Sequence, residues 1–443
     1  MALAQLTQEC PLTEARSPTS TPGQRIAVVG SGIAGLASAY LLARRHHVTL
    51  FEADKRLGGH THTVDITLGG VTAPVDTGFL VFNDRTYPNL IALFDELGVA
   101  SHASDMSFGV SVDAGRLEWA GSNLGTVFAQ PRNLVSPSFL GMLADILRFN
   151  REAPANLRRA EADGATLGQL LAEGGYRAQF RDAYLLPMAA AIWSSPAGDI
   201  LQFPAASFLR FCLNHGLLQI NDRPQWRSPL GGGRSYVQRI AATLPDVRLN
   251  APVHAVHRNP QGVLVHSPAG PEQFDAVVLA THAPETLALL QDPDDAEAAL
   301  LRAVRYQPNV AVLHTDARFL PQRRKVWSAW NYLGHSLDDG QRPVCVSYLL
   351  NQLQPLPFTQ PVIVTLNPFS TPDPAQTHGV YTYEHPLFDN AAIAAQKALP
   401  GLQGRRSTWF AGAWTGYGFH EDGLRSALRV AADWDLLPAW ARL

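Results

Sequence analysis

The sequence is short of cysteine, of net charge and of long apolar runs, and each shortage excludes something. Only three cysteines are present, Cys10, Cys212 and Cys345, far apart and with no CxxC pair. Neither a disulfide framework nor a thiolate metal site is therefore expected, and reduced thiols in a cytoplasmic protein are the simple reading. A formal charge of −3 supplies no basic field, which argues against a role that neutralises nucleic-acid phosphates. No stretch of about twenty apolar residues is available to cross a bilayer. Residues 1–23 mix Thr, Ser, Pro and Glu without the basic start and apolar stretch of a secretory signal, and are expected to form a disordered tail.

What is present is a globular balance, 46% hydrophobic and 16% charged, over a length that suits two intertwined domains. IAVVG (26–30) reads as a strand buried on both faces. Ile33 to Arg45 follows at helical spacing, and VTLFEA (48–53) reads as a second buried strand. YPNLIALFDEL (87–97) suits an amphipathic helix with Pro88 in its first turn and Gly98 as terminator. The expected fold class is α/β plus α+β, with a discontinuous Rossmann-type domain from 24–109, 226–284 and 396–443. A mixed-sheet and helical substrate domain takes 110–225 and 285–395. There NVAVLHT, PVCVSYLL and PVIVTLN are expected to pair as an antiparallel sheet, and Phe139 to Phe149 to form a helix.

Gly30, Gly32 and Gly35 fall in a GxGxxG pattern between strand and helix, where glycine permits a tight turn and backbone amides can approach a pyrophosphate. The helix N-terminus then faces the anion, and Glu52 ends the next strand where a ribose hydroxyl would sit. FAD and NAD both satisfy this pattern.

The stretch EADKRLGGH resembles the glycine doublet that follows the ribose acid in the flavin amine oxidase and phytoene desaturase superfamily, which favours FAD. The resemblance continues through VDTGFLVF and ATHAPETL to WFAGAWTGYGFHEDGLRSAL. More narrowly, SAWNY and GYGFHEDG resemble bacterial amine-oxidase-like flavoproteins associated with fatty-acyl modification, in particular dehydrogenation of methyl-branched acyl chains during furan fatty acid formation. The resemblance implies that Arg56, Gly58, Gly59 and His60 approach the phosphates and flavin. It implies that Val253 meets the adenosine half, that Thr77, Gly78 and Phe79 line the flavin ring, and that Gly412 approaches the ribityl or pyrophosphate. Gly423 and Leu424 would open a last helix whose amides face the pyrimidine end of a reduced flavin. FAG is followed here by Ala413 and Trp414 rather than the acid usual in the superfamily. The cysteine of the monoamine oxidases has no counterpart, so a non-covalent FAD is expected.

His420 falls where the amine oxidases carry a cage tyrosine, and a histidine there can shuttle a proton near neutral pH or simply fix the loop. Glu421 beside it is a second catalytic candidate, with helix capping as the alternative. The lysine that holds a water beside the flavin in amine oxidases is missing from NVAVLHT, and the chain has only Lys55, Lys325 and Lys397. That departure favours a dehydrogenase or desaturase on an apolar, lipid-like substrate, with oxygen, a quinone or a carrier protein accepting electrons. Amine oxidase, redox-neutral isomerase and non-catalytic flavin-bearing module are the rivals.

Trp327, Trp330 and Tyr332 are expected to line an apolar tunnel. His60 and His62 form an HxH that no further ligand cluster completes, so no metal is expected. Phe139 to Phe149 with Arg148, Arg151, Arg158 and Arg159 combines apolar and basic residues, as a helix peripheral to the inner face of a membrane does. A core helix with a solvated basic end has the same composition.

Overall fold

The computed structural model describes residues 22–193, 196–219, 221–335 and 345–443. The expectation of a disordered tail falls almost wholly on residues outside them.

The β-branched run RIAVV forms β1 (Arg25–Val29), buried along all but its first residue. IAGLASAYLL forms α1 (Ile33–Leu42), with nine of its ten residues buried. A helix apolar all round must be covered on every side, and α1 lies between the sheet and the last helix, His420–Asp433. It ends at Leu42, short of the expected Arg45. β2 (His47–Phe51) pairs parallel with β1, from Arg25 opposite His47 to Val29 opposite Phe51. The complete parallel sheet has five strands in the order Asp246–Arg248, β2, β1, Ala276–Leu279, Thr408–Phe410. Three stretches far apart in sequence thus build one Rossmann-type layer, and the turns after Val29, Phe51, Leu279 and Phe410 meet at its C-terminal edge, where such sheets bind ligands.

The second sheet has seven strands, Thr377–Leu387, Arg305–His314, Ile363–Leu366, Cys345–Leu349, Trp330–Gly334, Phe108–Val112 and Leu117–Ala120. The three runs picked out by sequence pair antiparallel. Trp330–Gly334, however, pairs parallel with Phe108–Val112, so the sheet is mixed, and that strand straddles the expected boundary at 109. The helix expected over 139–149 runs from Pro137 to Asp163, because its buried stripe continues through Ala153, Asn156 and Ala160. Helix and sheet enclose the largest apolar core. No helix among the described residues is long and apolar enough to cross a membrane.

Candidate active site

A cavity of about 680 Å3 runs from the C-terminal edge of the parallel sheet into the second domain. Its sheet end is built from turns. At Gly30, φ is +97° and an added Cβ would stand 2.9 Å from the Ala280 carbonyl oxygen, while a Cβ on Gly35 would fall 1.8 Å from the Gly30 oxygen. Gly35 therefore lets α1 start against β1 and does not itself line the cavity. Gly32 does line it, and a Cβ there would meet no protein atom within 4 Å. The first amides of α1 have no side-chain cap, which leaves a positive helix end facing the space. Glu52 closes the turn, accepting from the Ser31 amide at 3.0 Å, the Ser31 hydroxyl and the Asp54 amide at 2.8 Å. Gly58, Gly59, His60, Thr77, Gly78, Phe79, Val253 and Gly412 share the same wall.

Uncapped amides, an empty glycine cradle and a carboxylate at the neighbouring strand end fit a dinucleotide cofactor. The buried Trp414 indole N–H, which has no protein partner among the described residues, adds a donor beside Gly412.

Some expected cofactor residues stand elsewhere. The Arg56 guanidinium turns away from the cavity and donates to the carbonyl oxygens of Gly59 (2.9 Å) and Thr61 (3.3 Å), so it pins the glycine loop from behind. Gly423 packs against α1, where a Cβ would come 2.7 Å from Ile33 Cγ2, and Leu424 is fully buried behind it. Neither lines the cavity, which meets the last helix at His420.

His420 stacks on Phe79 with ring centroids 3.6 Å apart, and its Nε2 meets Thr61 Oγ1 at 2.8 Å and the Tyr236 hydroxyl at 3.3 Å. Burial pushes its pKa down to about 3. In this environment the imidazole is held neutral near pH 7, which favours the fixing role over the proton shuttle. The expectation of a catalytic Glu421 is corrected, because it does not reach the cavity. Its carboxylate accepts from the Asn89 amide (3.1 Å), the Asn89 side chain (2.7 Å) and the Leu90 amide (2.9 Å), capping the helix Pro88–Leu97.

The second-domain end is aromatic. Trp193, Phe211, His215, Tyr417 and Phe419 line it, with Phe211 stacked on Phe419 at 5.1 Å and on His215 at 3.9 Å. Trp330 is there as expected, edge-on to Tyr348, and its indole N–H is buried without a partner. Trp327 instead donates to the Pro321 oxygen in a small separate core, and Tyr332 packs on the main core outside the cavity. The carboxylates on the cavity wall, Glu52, Glu285 and Glu384, all belong to its other end, where His282 Nδ1 lies 3.3 Å from Glu384.

One polar pair escaped the sequence reading. Asn309, buried on the strand Arg305–His314, accepts from Asn367 through Oδ1 (2.7 Å), so its Nδ2 donates to Gln307 O (3.2 Å) and to His385 Nδ1 (3.1 Å). His385 must then carry its proton on Nε2, and burial lowers its pKa to about 4. It lines the cavity as a neutral, oriented donor. The pairing of the strand Thr377–Leu387 with Arg305–His314 brings the two residues together across 76 positions, and no local motif announces it. His60 and His62 do not share a ligand point: His60 Nε2 meets the Glu384 carbonyl and His62 Nδ1 the Tyr383 hydroxyl.

Comparison with known proteins identifies the family and the fold. Residues 33–433 match the family described as flavin containing amine oxidoreductase. A protein named as a flavin-containing monoamine oxidase in Mycobacterium tuberculosis is 29% identical over 339 residues, 73% of this chain and 70% of its own. Among solved structures, a fatty acid isomerase from P. acnes that produces CLA superposes with a TM-score of 0.65 at 18% identity, covering 92% of this chain and 98% of its own. Putrescine oxidase bound to putrescine gives 0.66 at 19% identity, covering 93% and 98%.

Proposed function

Since the chain belongs to the flavin-containing amine oxidoreductase family, we propose that this flavin-dependent oxidoreductase is a dehydrogenase or desaturase of a neutral, lipid-like substrate, with a methyl-branched fatty acyl chain as the preferred class. FAD is held non-covalently between the α1 amides, Glu52, the Gly58–Gly59 loop and the Thr77–Phe79 wall. Bound there, the flavin supplies a two-electron acceptor for hydride at N5. The chain's own residues bind and exclude water: Trp193, Phe211, Tyr417 and Phe419 desolvate an apolar chain, and the Trp330 N–H is available to an oxygen of the substrate. His385 holds one proton at Nε2 and, being neutral, adds no cationic charge to the cavity.

The observation that carries this reading is the absence, among the described residues, of any carboxylate at the aromatic end of the cavity. A cationic amine would find no counter-ion there, and desolvating an unpaired charge is costly. The buried, unpaired thiols Cys212 and Cys345 are in keeping with a cytoplasmic setting.

Anaerobic titration with methyl-branched unsaturated fatty acids or phospholipids should bleach the flavin. A panel of polyamines and amino acids should neither bleach it nor release peroxide, and the reverse pattern would replace this reading with amine oxidation. The shared fold with a fatty acid isomerase supports a second reading, redox-neutral isomerisation of the same substrate class. It is recognised by turnover that requires pre-reduced flavin and consumes no electrons. Acid precipitation should release the yellow cofactor into the supernatant if no covalent bond holds it.

A further inference from the structure

The long helix Pro137–Asp163 buries one stripe, including Phe139, Met142, Phe149, Ala153 and Ala160, in the main core. Its opposite stripe runs through Leu140, Ala144, Leu147, Arg151, Ala155 and Arg158, three or four residues apart, and every one of these is exposed. Leu140 and Leu147 are 42% and 56% exposed, and Leu134 and Val135, immediately before the helix, are 55% and 80% exposed. Isolated exposed aliphatics are ordinary, but here four large ones are gathered on the short turn Pro131–Val135 and the first half of the helix that follows it.

Charge follows the same stripe. Its apolar half lies toward the N-terminus and its basic half toward the C-terminus. Among the described residues, exposed Arg158 and Arg159 have no carboxylate partner, and Arg151 touches Glu152 at a loose 3.8 Å. Of the other acids of this helix, Asp145 is buried and paired with Arg148 and Arg177, exposed Glu161 pairs with Arg210, and exposed Asp163 accepts from the Ala165 amide.

The stripe also borders a second, open groove beside the substrate chamber. This groove is bounded by Leu147, Arg151 and Leu218, and Leu217, the preceding residue, lines the main cavity. The acid in that groove, Asp222, is held by Arg85.

We propose that this face docks the protein on the surface of an anionic lipid bilayer. Leu134, Val135, Leu140 and Leu147 enter the acyl boundary, and Arg151, Arg158 and Arg159 lie at the phosphates. Apolar side chains with an adjoining row of guanidinium groups that carry at most one loose ion pair match an interface that is greasy inside and negative at its rim. A protein partner or a second copy of the chain would have to supply both a hydrophobic surface and an acidic border, whereas an anionic bilayer offers both at once.

The test reads attachment rather than turnover, so its outcome does not depend on the substrate. The purified flavin-loaded chain is floated with vesicles of phosphatidylglycerol mixed with phosphatidylcholine, and with phosphatidylcholine alone, at low and high salt. Binding is expected to the mixed vesicles only, and to weaken with salt. It should fall roughly tenfold or more in Arg151→Glu/Arg158→Glu and in Leu140→Glu/Leu147→Glu. In Leu147→Trp, the indole emission added over that of the parent chain with its nine tryptophans should shift to the blue on vesicle addition, which locates the contact even if the double variants fold poorly. No flotation at low salt, or flotation with no blue shift at position 147, overturns the proposal. So does concentration-dependent self-association that the Leu140→Glu/Leu147→Glu variant abolishes in place of vesicle binding, because a second copy would then be the occupant.

Discussion

Glu421 takes its carboxylate to the start of the helix Pro88–Leu97 rather than into the cavity, and it is only 4% exposed. Burial raises its pKa while the Asn89 and Leu90 amides oppose the rise. Removing the acceptor strands two helix amides and the Asn89 side chain in a dry place, which costs about 1–3 kcal/mol. Glu421→Ala should therefore lower the thermal midpoint by several degrees while the turnover of protein that remains folded stays near normal. A kcat collapse at unchanged stability would restore a catalytic role. Asn309 and His385 make a sharper case, since only the Asn309 donor fixes the imidazole tautomer. Asn309→Leu should shift the visible spectrum of the bound flavin and slow its reduction by roughly tenfold. If both are unchanged, the orientation of His385 has no bearing on the reaction.

At the scale of elements, the beginning of α1 separates folding from cofactor binding. Gly35→Ala places a Cβ 1.8 Å from the Gly30 oxygen and should give little folded protein. Gly32→Ala meets no protein atom, and the Gly32 backbone, with φ at −62°, already suits alanine. The added methyl stands where the cofactor belongs, and overpacking of about 1–3 kcal/mol weakens FAD binding on the order of tenfold. The checks are the flavin-to-protein absorbance ratio and the melting curve of the stripped protein, and a fully yellow Gly32→Ala would place the cofactor elsewhere. This end of the site was legible in the sequence because strand, turn and helix are consecutive and glycine spacing records close approach directly. The other end was not. Met106, Trp193, Phe211, Trp330 and Phe419 come together through strand pairing and helix packing over more than three hundred positions. Trp327 and Trp330, three residues apart, part company because one precedes a strand and the other begins it.

Over the whole molecule, the buried and half-buried histidines set the response to acid. His62, His215, His314 and His385 are lowered to about 4, His420 to about 3, and His60 well below its ordinary value, with burial the largest cause in each. The unfolded chain takes up protons at these sites near pH 6.5 and the folded one does not, so stability falls as pH drops from about 6.5 toward 4. Asp76 and Asp422 act the other way. Burial raises both to about 6, so the folded state is protonated before the unfolded one and gains stability between pH 6 and about 4. Glu421, which burial also raises, adds to the carboxyl side, so six groups oppose three in the same window, and the histidine sign prevails. The urea midpoint should therefore decrease steadily from pH 7 to pH 5, and His314→Gln, which lies outside the cavity beside Thr365, should reduce the slope. A midpoint that rises on acidification would mean that the buried carboxyls outweigh the imidazoles.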